Sequence, residues 1–288
     1  MRFGLHAIGV GTGADPAVIA AVARAADESG FATLWSGEHV VMVDRPDALY
    51  PYSDDGKIAV PTDTDWLDPL VGLSYVAALT TRIRLATGIL LLPQHNPLVV
   101  AKQTASLDVL SRGRFVLGVG IGWSSEEFAA VGVAFDGRAA RTIEYLDVLR
   151  AVWRDDVSVY SGEFVRFDAV RSYPKPIRGR RIPVVLGGNS DAALDRVADH
   201  GEGWYGFNVP RRQVVDRVGY LTERCRQAGR DVADLDVVVA LLDGTPDDVP
   251  AMSAAGVTEL VVVDAPPGDP GAAVAWVREL AAQWGVGT

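Results

Sequence analysis

Residues 115–123, FVLGVGIGW, run an apolar segment into Gly118, Gly120 and Gly122 and then into Trp123. Glycines so placed can serve more than one chemistry. A dinucleotide-binding turn spaces them G-x-G-x-x-G, so that a helix packs closely on the strand and its N-terminus meets a pyrophosphate. Here Trp123 takes the third place of that fingerprint, and the spacing is G-x-G-x-G. A pyrophosphate cradle is therefore disfavoured. What remains is a tightly packed strand end, or a strand cleared of side chains so that a flat ring can approach.

Glu38-His39 is the second candidate. An imidazole titrating near 6.5 can give and take a proton at neutral pH, and the neighbouring carboxylate could orient it. The bland alternative is a histidine that hydrogen-bonds the rim of a sheet. The third candidate is Gly187-Gly188-Asn189-Ser190, where a helix start would offer free N–H groups and a positive dipole end to a phosphate. Arg138 and Arg141 could also meet an anion, or could be solvated or paired with Glu144. Metal hydrolysis has no H-x-H or H-E-x-x-H pair to stand on, and serine hydrolysis has no G-x-S-x-G turn.

These side chains need a frame. The chain has 288 residues, 49% hydrophobic and 22% charged, enough for a substantial core. A net charge of −10 argues against nucleic acid and anionic membrane surfaces as partners. Any anionic ligand must be held by local donors against that field. The single cysteine, Cys225, rules out an internal disulfide and fits a reducing compartment. The opening MRFGLHAIGV lacks the core and cleavage site of a signal peptide, so a cytoplasmic protein is expected.

Strands are expected at 2–8, 33–39, 82–92, 114–120, 182–188, 203–208, 235–241 and 258–264. Helices alternate with them. Asp15-Pro16, Asp68-Pro69 and Asn96-Pro97 are N-cap and first-turn signals, and Gly30 closes the first helix. Eight such alternations predict a closed (β/α)₈ barrel, with a doubly wound sheet as the alternative. Two departures are expected: a long loop at about 40–66, read as a lid, and a small hairpin insertion at 157–174 before the fifth strand. One domain over 1–288 is expected, with no dividing linker. In such a barrel the chemistry sits at the C-terminal strand ends. Three of the four histidines, His6, His39 and His95, fall there, with His200 at a helix end.

The stretches ARAADESGFATLWSGEHVV, RIRLATGILLLPQHNPLVVAKQTASLDVLSRGRFVLGVGIGW, EYLDVLRAVW and IPVVLGGNSDAALDRVADHGEGW resemble the luciferase-like monooxygenase superfamily. Within it they resemble the actinobacterial branch that uses the deazaflavin coenzyme F420. The resemblance spans residues 3 to about 208 in order. It implies a bacterial-luciferase-like TIM barrel with a ring at the C-terminal mouth, and a non-prolyl cis peptide at Gly88-Ile89 bulging against the back of that ring. By that reading Gly118, Gly120 and Gly122 make room beside the ring, with Trp123 and, from its place at the sixth strand, Trp204 near it; the cofactor phosphate is expected on Gly187, Gly188, Asn189 and Ser190, the local donors that an acidic protein needs. His39 matches the histidine that handles a proton in the deazaflavin dehydrogenases, and Glu38 would orient it. Their catalytic glutamate after the strand-four glycines is replaced by Trp123, which speaks against a sugar-phosphate substrate.

The implied reaction is hydride transfer between F420 and a small organic molecule, in a homodimer. FMN-dependent oxygen chemistry and a non-catalytic cofactor-binding relative are the alternatives.

Overall fold

Strands covered on both faces should be apolar almost throughout, and the central ones are: every residue of Phe115–Gly120 and of Thr33–Ser36 is buried. The computed structural model describes residues 1–53 and 55–287. Its strands are β1 Arg2–His6, β2 Thr33–Ser36, β3 Arg84–Thr87, β4 Leu90–Leu91, β5 Phe115–Gly120, β6 Ser158–Ser161, β7 Arg166–Val170, β8 Val184–Gly187, β9 Gly203–Val209, β10 Asp236–Leu241 and β11 Glu259–Val263. The helices are α1 Pro16–Ser29, α2 Pro69–Leu79, α3 Pro97–Leu110, α4 Ser125–Ala130, α5 Arg138–Arg154, α6 Asp191–His200, α7 Arg211–Gln227, α8 Val249–Ala254 and α9 Pro270–Trp284.

Parallel pairing runs β1–β2–β3–β5–β8–β9–β10–β11 and closes from β11 back to β1. The result is the eight-stranded barrel, ringed by helices. Its third stave is split. β3 stops at Thr87, the Gly88-Ile89 peptide is cis, and β4 resumes the pairing with β5 at Leu90↔Val119. The expected hairpin is present as antiparallel β6–β7, outside the barrel. Asp15, Asp68 and Asn96 each cap the helix that begins with the following proline, satisfying N–H groups that the first turn leaves free. The expected first strand is shorter, because pairing with β11 ends at His6↔Val263. Helix α4 was not expected at all, although Ser124-x-x-Glu127 has the form of a capping box.

Side chains alternate across each stave, so one set fills the barrel. At its floor Glu259 is fully buried, accepting from Arg84 Nη2 at 2.5 Å, Thr33 Oγ1 at 3.1 Å and Trp35 Nε1 at 2.9 Å. Asp236 accepts from Arg2 at 2.5 Å and Arg84 at 3.0 Å. Burial pushes the Asp236 carboxyl up, but Arg2 and Arg84 outweigh it and hold the group below its usual value. Above this floor Trp35 stacks on Tyr205, 4.6 Å between centroids and 18° between planes. Gly4 makes room for Trp35 and Glu259: a Cβ there would lie 2.6 Å from Glu259 Oε1 and 2.7 Å from Trp35 Nε1.

A buried ion network punishes removal of one member more than its replacement as a set. Glu259→Gln should therefore cost about 3 kcal/mol in urea unfolding. Adding Arg84→Met to Glu259→Leu should recover part of the loss. A Glu259→Gln protein unfolding at the wild-type urea midpoint would show that the floor does not depend on this carboxylate.

Candidate active site

Above the floor the C-terminal strand ends enclose a cavity of about 480 Å³. Its walls come from β1 (His6), the residues after β2 (Gly37 to His39), Gly88-Ile89, Trp123, Gly187-Gly188, β9 (Tyr205, Phe207) and the end of β11. Tyr50, Tyr52, Ile58 to Pro61 and Trp66 of the long loop cover it, as a lid should. Asp54, also in that loop, lies outside the described residues. Tyr50 meets Trp123 edge-on at 5.3 Å, and Trp66 meets His39 edge-on at 4.8 Å while donating Nε1–H to the Gly37 carbonyl at 3.1 Å. The chamber is largely apolar and aromatic.

His39 faces it, but its partner is not the adjacent carboxylate. Glu38 instead accepts from His95 Nε2 at 2.9 Å and from the Leu91 amide at 2.5 Å. His39 Nδ1–H donates to Glu127 Oε2 at 3.2 Å, and Glu127 Oε1 accepts the Val40 amide at 3.0 Å. Glu127 is 1% exposed. A buried carboxylate needs such partners, so Glu127 rather than Glu38 orients His39. Next to it, Glu126 accepts the lid amides of Asp47 at 2.7 Å and Ala48 at 2.9 Å. Backbone donors, Ala48 foremost, lower the Glu126 carboxyl to about 2. Sequence reasoning passed over both glutamates along with the short helix α4.

The glycines of the opening motif have a different job from the one expected. A Cβ on Gly118 would fall 1.9 Å from the Thr87 carbonyl oxygen, and one on Gly120 would fall 2.0 Å from Ile89 Cδ1. Gly122 has φ +77° beside Phe128. They make room for the Gly88-Ile89 bulge and the turn after β5, and only Trp123 of that set reaches the cavity. Trp204 is likewise off the cavity. Alternation along β9 turns Tyr205 and Phe207 inward, and Trp204 packs outside, its Nε1–H on the Gly188 carbonyl at 2.8 Å.

At the proposed phosphate seat Gly188 has φ +115°, and a Cβ there would meet Ala193 at 2.8 Å. Ser190 caps α6, and Asn189 donates to the Phe207 carbonyl at 2.7 Å while its buried Oδ1 has no partner among the described residues. Arg141 is neither solvated nor paired with Glu144. It is buried against the carbonyls of Pro93 and Ala134, and Glu144 accepts the hairpin amides of residues 163–165. Arg138 donates to the Gly122 carbonyl at 3.0 Å.

Burial lowers the His95 pKa, but the hydrogen bond and charge of Glu38, with Asp68 and Glu127 beyond, outweigh it and raise the value overall. A raised folded value stabilises below the unfolded pKa near 6.5, and the gain is lost as pH rises through the folded value. The thermal stability advantage of wild type over His95→Gln should therefore shrink from pH 6 to pH 9. An advantage that stays constant would contradict the charged pair.

The family model for luciferase-like monooxygenases matches residues 1–242. An uncharacterised protein of Mycobacterium tuberculosis is 35% identical over 286 residues, covering 98% of both chains. Monooxygenase RslO1 from Streptomyces bottropensis is similar with a TM-score of 0.77, at 22% identity over 98% of both chains. An F420-dependent secondary alcohol dehydrogenase, solved with an F420–acetone adduct, is similar with a TM-score of 0.77 at 15% identity, again over 98% of both. At such identities the solved structures establish a common fold. Together with the match along the sequence, they show that the chain belongs to the luciferase-like monooxygenase family, an oxidoreductase family on a (β/α)₈ barrel.

Proposed function

We propose that the protein is a coenzyme F420-dependent oxidoreductase acting on a small organic molecule, with His39 passing the proton. The observation that carries this reading is the His39–Glu127 pair on the cavity wall. With Nδ1–H held by the carboxylate, Nε2 is the working atom, as in other carboxylate-oriented histidines. The residues present suit a flavin-type ring: apolar aromatic walls, Ile89 from the bulge on one side, and the glycine pair Gly187-Gly188 at the edge. The deazaflavin, when bound, supplies or accepts hydride. His39 supplies or takes the accompanying proton at Nε2, Glu127 holds its ring in position, and the lid residues Tyr50, Tyr52 and Trp66 exclude water. Gly187, Gly188, Asn189 and Ser190 receive the cofactor phosphate at the start of α6.

The likeness to a monooxygenase over the full chain favours a second reading, an FMN-dependent monooxygenase at the same site. Substrate, on either reading, is a small molecule. We further propose one barrel domain over 1–288 that works as a homodimer in the cytoplasm. Exposed apolar side chains such as Val71, Val99 and Leu110 on α2 and α3 support self-association. Among the described residues no helix is long and apolar enough to cross a membrane.

Fluorescence titration of the protein with F420 and with FMN should give tight binding of the deazaflavin only. Tight FMN binding alone would transfer the protein to the second reading. Gly188→Leu should weaken F420 far more than its phosphate-free ring fragment, and equal losses would remove the phosphate from this seat. Glu127→Gln should lower the single-turnover hydride-transfer rate about tenfold or more while leaving cofactor affinity within about threefold, because the carboxylate acts through His39. An unchanged rate would refute the pair's role.

A further inference from the structure

His6 is the group in the cavity that this reading does not use. Its Nδ1 lies 2.9 Å from Tyr205 Oη, and neither atom has another partner among the described residues. A phenol hydroxyl carries one hydrogen, and an unpaired buried donor is costly. Tyr205 can donate that hydrogen only to Nδ1. The imidazole is then in the form that bears its own hydrogen on Nε2. Burial lowers the His6 pKa to about 4, so the ring is neutral across the ordinary pH range, and burial raises the Tyr205 hydroxyl well above its usual value. The tyrosine cannot swing away, because its ring is stacked on Trp35 at 4.6 Å and set beside Phe207 at 6.2 Å.

The Nε2 edge opens into the cavity. It is flanked by Gly37 and Gly88, and a Cβ on either would come within 3.4 Å of the imidazole edge. The carboxylates in reach of the chamber are committed elsewhere: Glu38 to His95, Glu127 to His39, and Asp264 to the Ala265 amide and Trp276 Nε1. A fixed, neutral N–H donor thus stands in an apolar wall with no acceptor among the described residues.

We propose that His6 is a specificity residue, its Nε2–H donating to the carbonyl oxygen of an uncharged, largely apolar substrate. The assignment rests on the cavity being the substrate chamber of the reading above. A carbonyl oxygen satisfies the donor, a hydrocarbon leaves it unpaired, and a cation has no acceptor to meet. A flavin-type ring also carries carbonyl oxygens, so the test must separate substrate from cofactor.

Long-range ¹⁵N NMR of the histidine side chains in the full-length protein decides the tautomer without any ligand. His6 should show a protonated Nε2 and a bare Nδ1 from pH 6 to pH 8, and Tyr205→Phe should release that preference. A protonated Nδ1 in wild type would overturn the proposal. Cyclohexanone and methylenecyclohexane, a carbonyl and its hydrocarbon counterpart, are then titrated into the protein with and without F420. His6→Met should weaken cyclohexanone about three- to tenfold and leave methylenecyclohexane unchanged. His6→Gln, which can place an amide N–H near Nε2, should restore part of the difference. Equal losses for both probes would refute the donor, and a loss confined to F420 would assign the donor to the cofactor and overturn the substrate role. Failure of F420 to bind wild type would sink the cofactor reading alone, since the tautomer and the ligand-free titrations still decide this one.

Discussion

The structure hangs on a buried carboxylate. Glu259 sits wholly inside the barrel floor and is tolerable only because guanidinium, hydroxyl and indole donors converge on it. One of those donors is Trp35, whose Nε1–H on Glu259 fixes the indole in place. Tyr205 stacks on that indole, and its hydroxyl reaches His6. An electrostatic requirement at the floor is thus converted, through one stacking contact and one hydrogen bond, into the orientation of a side chain in the chamber. Gly4 follows from the same cause, because a Cβ there would collide with both Glu259 Oε1 and the Trp35 indole.

Helix α4 does the corresponding work from the side. It is six residues long and carries two adjacent glutamates that point to different tasks. Glu126 gathers lid amides at positions 47 and 48, while Glu127 holds His39 and the amide of Val40, where the lid departs from β2. The lid and His39 are therefore fastened to the same short helix. A loop this long would otherwise pay a large entropy to close over a cavity. Fixed at root and middle, it needs to order only its remaining segments.

Most of the frame was legible in the sequence because it depends on local signals. Three cap-proline pairs start helices where they stand and the apolar runs form the staves, whereas the cis peptide at Gly88-Ile89 was expected from the family resemblance alone. The site was legible only to the level of strand ends. Glu38 and His39 are neighbours in sequence, but successive residues leaving a strand point in opposite directions, so their partners come from elsewhere: His95 for one, Glu127 for the other. The same parity explains Trp204, which was grouped with the cavity although its neighbour Tyr205 is the residue that enters it. The glycines of FVLGVGIGW were read against a ligand, whereas their missing side chains answer to Thr87 and Ile89 on the neighbouring stave and to Phe128 of α4. Long-range packing of that kind leaves no mark in spacing.

The electrostatic state of the chamber follows from these pairings. The protein carries a net charge of −10, yet each cavity carboxylate is engaged by a specific donor, and burial holds the Tyr50, Tyr52 and Tyr205 hydroxyls in their neutral form by raising their pKa values. His6 is held neutral by the opposite effect of the same burial. Fixed dipoles in a water-poor site act more strongly on a charge that develops during reaction than mobile solvent does. In such a chamber two histidines differ in kind because their partners differ. His39 faces a carboxylate, which accepts its Nδ1–H and leaves Nε2 bare. His6 faces a phenol, which donates to its Nδ1 and leaves the hydrogen on Nε2. Which ring nitrogen carries the hydrogen is thus set, for each histidine, by the group behind it.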